Sequence, residues 1–233
     1  MSPPDAPRLL NDDGSASVAT ALMMSHHGFR RDIACFKAAL ARVVVGDSLR
    51  VAALRDEWRN YRNTLHGHHE AEDHGLFSAV LDRQPSLAAV VEHLVADHRR
   101  IDPLLQEGDH AFAALSGPVS AQKTAAVVAE LSSLLDAHLA LEEANIVPWL
   151  RDMKGFPAPA NDAELEMFAQ GFAWSSRGIA AEVVERVDAM LPEALVARLP
   201  GARAAFEVRH ERAFGEVKVG ASRTSIPDWL AAT

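Results

Sequence analysis

Cysteine is almost absent from this 233-residue chain, with Cys35 its sole occurrence. A disulfide framework is therefore excluded, and a reducing compartment fits. Cys35 itself reads as a small buried apolar residue on a helix rather than a redox-active thiol. Unbroken apolar runs are also missing, and none approaches the ~18 residues of a membrane span. The opening stretch from Met1 to Gly14 has neither a basic n-region nor an apolar h-region, so no secretory signal is expected. Positive charge is in deficit, with 23 Lys and Arg against 32 Asp and Glu and a formal net charge of -9. Without a Lys/Arg block, nucleic acid is excluded as the default partner. The expectation is a soluble, acidic, cytoplasmic chain with neither a nucleic-acid nor a membrane partner.

What is there is a large apolar fraction, 48% of residues, and eleven histidines in an acidic chain. The apolar fraction is enough for one sizeable core. Strand alternation is absent, and helix punctuation divides the chain. Residues 1–14 read as a disordered lead. A first helix runs from Ser15 or Ser17 to Val45 and stops at Gly46. Asp47 or Ser48 caps a second helix reaching Arg83, before Pro85. Ser86 opens a third, closed by Ser116-Gly117-Pro118, with Pro103 inside it expected to kink or split it. Ser120 caps a fourth helix to about Leu150. Residues 151–160 read as a linker, 161–233 as a C-terminal helical extension interrupted at Pro192 and Pro200, and 215–233 as a poorly specified tail. The fold expected is all-α, an up-down-up-down four-helix bundle over 15–150 with additional C-terminal helices.

Each of the first four helices carries an apolar stripe at steps of three and four, the signature of a buried bundle seam. The first has Leu22, His26, Phe29, Ile33, Phe36 and Leu40. The second has Leu54, Trp58, Tyr61, Leu65, His68, Glu72 and Leu76. Val91, Leu94, His98, Ile101 and Leu105 mark the third, and Leu131, Leu135, His138, Glu142, Ile146 and Trp149 the fourth. The seams are apolar except where they carry His, or His with Glu. An unpaired carboxylate in such a core costs several kcal/mol, by order of magnitude. Two carboxylates and four imidazoles need compensation, and a pair of divalent or trivalent cations supplies it.

The two halves repeat. His26 and His68 are 42 residues apart, and His98 and His138 are 40 apart. Each half is a helix with one seam histidine, a turn, and a helix with His-x-x-x-Glu. Four residues advance an α-helix by about 6 Å and rotate it by about 400°, so His and Glu lie one above the other. One such motif is weak evidence. Two of them on buried seams, each preceded by a seam histidine, are strong evidence.

The stretches MSHHGFRRDI, HGHHEAEDHGLF, VADHRRIDPLL and HLALEEANIVPWL resemble the hemerythrin-like, HHE cation-binding family over about residues 18–150. The resemblance implies an up-down four-helix bundle holding an oxo- or hydroxo-bridged centre of two Fe ions. It also implies that His26, His68, Glu72, His98, His138 and Glu142 are the ligands, with Glu72 and Glu142 as bridges. The chain departs from the oxygen carriers, which have His-x-x-x-His on the third helix and His-x-x-x-x-Asp on the fourth. Here Leu94 and Asp102 stand four residues from His98, and the fourth helix offers Glu142, with Glu143 at the longer spacing. The pattern is similar to bacterial members with four His and two Glu, di-iron proteins linked to nitric oxide and iron–sulfur repair.

The neighbouring residues admit two readings each. His27 is an alternative to His26, and His93 to His98, each lying off the seam. His66, His69 and His74 read as a solvated helix face, with His69 alternatively an outer or substitute ligand. Asp73 and Glu143 are expected to face water or to hydrogen-bond ligating imidazoles. Tyr61 is an ordinary buried tyrosine or a hydrogen-bond donor above the metals. Trp58, Phe29, Phe36, Trp149 and Phe77 read as core. His210 reads as structural or exposed, and the C-terminal stripe packs on the bundle or on another copy of the chain as a homo-oligomer.

A His-rich, carboxylate-bridged set suits iron; manganese would take more oxygen ligands and zinc would favour thiolates. Three functions are open. The first is a di-iron oxidoreductase that reduces or activates a small oxidant, O2, peroxide or nitric oxide. The second is a protein that binds or senses O2, nitric oxide or iron. The third is a metal that only staples the bundle.

Overall fold

The computed structural model describes residues 8–156, 158–215 and 217, and over these the chain is all-α with no β-strand. Contacts divide it into two units. One comprises the stretch up to Gly28 with Ile146–Glu207, and the other Phe29–Asn145 with the stretch from Val208. Two helices, α1 (Val18–Leu40) and α9 (Leu199–Phe214), contribute residues to both.

The second unit holds the bundle: α1 from Phe29 onward, α2 (Ser48–Ala71), α4 (Ala88–Ala113) and α5 (Pro118–Asn145). The helix ends obey their capping chemistry. Asp47 accepts the backbone N–H of Arg50 at the start of α2. Pro118 opens α5, where its missing N–H costs nothing. The Arg55 guanidinium donates to the carbonyls of Phe112, Ala113 and Leu115, satisfying the orphan acceptors that end α4. The expected second helix is one helical run to Arg83, but it changes pitch. After α2 come a π-turn at Glu72–Leu76 and α3 (Phe77–Arg83). Pro103 does not split α4, which runs through it.

The bundle core is aromatic. The Phe36 ring meets Trp58, Tyr61, Phe112 and Phe214 at centroid distances of 5.8, 5.8, 5.2 and 5.0 Å. Trp58 stacks on Phe112 at 4.6 Å and 11°, and its indole N–H donates to Asp109 at 2.8 Å. Gly108 makes this possible, because a Cβ there would lie 2.1 Å from the Trp58 ring. The residues expected as core are so, except that Trp149 is 36% exposed.

By length and composition α5 could cross a membrane, with a window of mean hydropathy 1.3. That apolar character is averaged over the window rather than drawn from an unbroken run. Val128, Leu131, Leu135, His138 and Glu142 on α5 are buried, and α5 packs against α4.

In the first unit, α6 (Asp162–Ser176), α7 (Ala181–Asp188) and α8 (Glu193–Val196) come after the linker. Ala169, Leu191, Leu195 and Leu199 form its core, with Phe168 and Phe172 against them. Pro200 stands in the first turn of α9 rather than interrupting a helix. Residues 1–7 of the expected disordered lead lie outside the described residues. Residues 8–14 form turns with Leu9 and Leu10 buried, and the Leu9 carbonyl accepts the Thr20 hydroxyl at 2.8 Å. Of the tail, only residues 215 and 217 are described.

Candidate metal centre

His68 and His69 both precede Glu72 on one face of α2, at four and three residues. The α-helix gives way at Glu72, whose carbonyl accepts the N–H of Phe77 five residues on. The inserted residue rotates the register of the downstream helix, as π-turns near functional sites do. Asp73 is thereby brought to His98, whose Nδ1 lies 3.0 Å from Oδ1 of Asp73. The ring of Phe77 stacks on His98 at 5.9 Å.

Ligand-type atoms then converge in two sets. His69, Glu72, His98 and His138, all buried, each bring one atom within 4.8 Å of the others. His98 Nε2 is 3.3 Å from His138 Nε2 and 3.5 Å from Oε2 of Glu72. In the second set His68, Glu72 and Glu142 bring atoms within the same 4.8 Å. His68 Nε2 is 2.8 Å from Oε1 of Glu72, and His138 Nε2 is 4.0 Å from Oε2 of Glu142. Glu72 belongs to both sets and turns one oxygen to each. A carboxylate so placed can bridge two cations.

The electrostatics favour uncharged imidazole at His69. Burial pushes its pKa far below the ordinary histidine value, and positive charge on His98, His68 and His138 would push the same way. Its ring stacks on His98 at 3.9 Å and 12°. Both ring nitrogens of His69 are buried and neither has a hydrogen-bond partner among the described residues. A neutral imidazole so placed keeps a lone pair and gains from a cation what it lacks in hydrogen bonds. At His98 burial opposes the charged form, but Glu72 and Asp73 together outweigh it and raise the pKa. With Nδ1–H donated to Asp73, the neutral ring carries its lone pair on Nε2, the nitrogen near Glu72 and His138. The donor set therefore fits a metal.

A sequence model of the hemerythrin HHE cation binding domain matches residues 17–150. The chain belongs to this family. None of the curated proteins and none of the solved structures compared with it matches.

In this HHE domain, five of the six ligands expected from sequence lie together: His68, Glu72, His98, His138 and Glu142. The sixth, His26, is fully buried on α1, one turn before Phe29, whose ring lies 5.0 Å from His68. His27 is engaged elsewhere: its Nε2 is 2.9 Å from the carbonyl of Arg177. Gly178, at φ 81°, leaves the room for that ring. His93 is exposed beside Asp97.

The solvated face expected for His66, His69 and His74 holds for two of them and fails for His69. It is 3% exposed, while the other two are exposed. The signal is present in the spacing, since a residue three before Glu72 shares its face as fully as one four before. Asp73 meets an imidazole as expected. Glu143 is buried and its carboxylate pairs with the Arg30 guanidinium, which also reaches Asp136 at 2.9 Å.

Proposed function

We propose that this HHE domain holds two irons and reduces or activates a small oxidant: O2, peroxide or nitric oxide. The observation that carries the reading is the pair of nitrogen and oxygen donor sets that share Glu72. His69, His98 and His138 serve one cation. His68, Glu142 and, by its seam position, His26 serve the other. Imidazole and carboxylate without thiolate favour iron over zinc, and the number of imidazoles disfavours manganese. A pair of irons bound there supplies electrons and Lewis acidity to a small oxidant.

The protein's own groups set the conditions. Asp73 holds a proton at His98 Nδ1 and so fixes the ring. Glu72 and Glu142, 1% and 0% exposed, supply negative charge that tolerates burial only beside cations. Phe29 packs edge-on to Tyr61 and against His68, keeping water from that side. Burial holds the Tyr61 hydroxyl protonated, its pKa well above the ordinary value, with help from the charge of Asp32.

A second reading is a non-catalytic protein that binds or senses O2, nitric oxide or iron. The burial of the donors favours it: among the five gathered ligands and His69, only the His68 side chain reaches even 10% exposure. The two readings separate by turnover. The iron-loaded full chain, mixed with peroxide or nitric oxide and a reductant, is expected to consume many equivalents per site. Consumption of a single equivalent would refute the enzyme and leave the binder.

A further inference from the structure

A second cluster of ligand-type side chains in the bundle unit shares no residue with the His–Glu sets. Asp32 and Cys35 are three residues apart on one face of α1. His210, on α9, comes to them across 175 residues of sequence, with Nε2 3.9 Å from the Cys35 sulfur. One donor atom from each of the three lies within 4.8 Å of the others, and all three are buried to 1% exposure or less. The imidazole is fixed by Phe214, at 4.8 Å, which in turn meets Phe36 at 5.0 Å. From sequence, His210 reads as structural or exposed and Cys35 as an inert apolar residue. The structure instead joins them in one buried cluster.

Two further observations point to a ligand. The Tyr61 hydroxyl is buried and has no hydrogen-bond partner among the described residues, and the charge of Asp32 acts on that phenol. A buried hydroxyl within electrostatic reach of a carboxylate, without a hydrogen-bond partner among the described residues, is a polar group that calls for an explanation. Around it the carboxylates are ordered from outside: Arg31 Nε holds Oδ1 of Asp32 at 2.7 Å, and Arg209 holds Glu57 at 2.7 Å. Asp32 also acts on Glu57, whose pKa rises chiefly through burial, with Arg209 opposing. Asp32, paired with Arg31, thus brings a carboxylate to a thiol that a metal would deprotonate.

We infer that Asp32, Cys35 and His210 form a separate site for a single divalent cation of the zinc type. One thiolate, one imidazole and one carboxylate are the mixed donors that a tetrahedral zinc ion takes. Binding releases the Cys35 proton to solvent and involves no change of oxidation state. The site does not rest on the identity of the metal at the His–Glu sets.

Cobalt(II) makes the test specific, because Cys35 is the chain's sole thiol and the His–Glu sets contain none. The metal-free full chain titrated with cobalt(II) is expected to develop a thiolate-to-cobalt charge-transfer band in the near ultraviolet. Cys35→Ala abolishes the band and His210→Ala weakens it. Zinc analysis gives a second readout: a His98→Ala, His138→Ala chain retains about one zinc, and adding Cys35→Ala removes it. If the unmodified chain binds cobalt without the band, the contact is a plain S–H···N hydrogen bond and the inference is overturned. That outcome needs no variant to fold. A band of full strength in His210→Ala would overturn the imidazole as a ligand.

Discussion

The ends of α2 and α5 carry the same His-x-x-x-Glu spacing and yet are built differently. Next to His68 stands His69, buried with one ring nitrogen among the cluster's donor atoms; next to His138 stands Leu139, buried as plain core. After Glu72 the helix widens into a π-turn and Asp73 turns to His98. After Glu142 the α-helix continues to Asn145, and Glu143 pairs with Arg30. The two halves are thus symmetric in spacing and asymmetric in chemistry. One end supplies an additional ligand and an orienting acid, and the other anchors its neighbouring carboxylate in an ion pair. A repeat visible in sequence therefore does not require two equivalent metal positions.

This asymmetry ranks the consequences of mutation. Glu72→Ala should have the largest effect, because Glu72 alone belongs to both donor sets. Both cations are expected to weaken by more than about 100-fold, beyond the ~10–100-fold typical of orienting partners. Metal content after dialysis against a chelator reads this out. His69→Ala should affect one set, lowering bound metal from about two ions to about one, while His66→Ala changes nothing. Equal metal content in the two variants would return His69 to the solvated face and restore the symmetry.

The paired neighbours then separate metal affinity from fold stability. Asp73→Ala should weaken metal binding by about 10–100-fold, with little change in the melting temperature of the metal-free chain. Glu143→Ala should do the reverse. It leaves the Arg30 guanidinium, 17% exposed, without its buried partner and should cost about 1–3 kcal/mol, read by thermal or urea unfolding. Identical behaviour of the two variants would erase the distinction between the helix ends. The smallest effect belongs to Tyr61→Phe in metal-free protein. Removing a buried hydroxyl that has no hydrogen-bond partner among the described residues should change stability by less than about 1 kcal/mol, or raise it slightly.

Much of this centre is readable in the amino-acid sequence. Seam periodicity singles out His68, Glu72, His98, His138 and Glu142, because a charged or imidazole side chain at a core position demands an explanation. Capping chemistry offers Asp47 or Ser48 for the start of α2, where Asp47 is the cap, whereas α5 begins at Pro118, before the Ser120 expected to cap it. The hidden parts depend on departures from ideal periodicity or on distant chain segments. The π-turn at Glu72 shifts the register by one residue, which no 3.6-residue pattern registers. His69 escapes a pattern that pairs Glu72 only with the residue four before it and not with the one three before. The Cys35–His210 meeting spans 175 residues, and neither helix carries a local sign of it. Likewise Gly28 reads as an ordinary helical glycine until Trp174 is seen to occupy the space of its missing Cβ, 2.6 Å away.

Whether two metal ions share Glu72 is decided by Mössbauer spectroscopy of the iron-57-loaded full chain, with magnetic susceptibility on the same sample. A shared carboxylate predicts about two irons per chain, in two inequivalent environments, coupled to one another, with the coupling lost in Glu72→Ala. A single magnetically isolated iron per chain, or two uncoupled ones unaffected by Glu72→Ala, would contradict it.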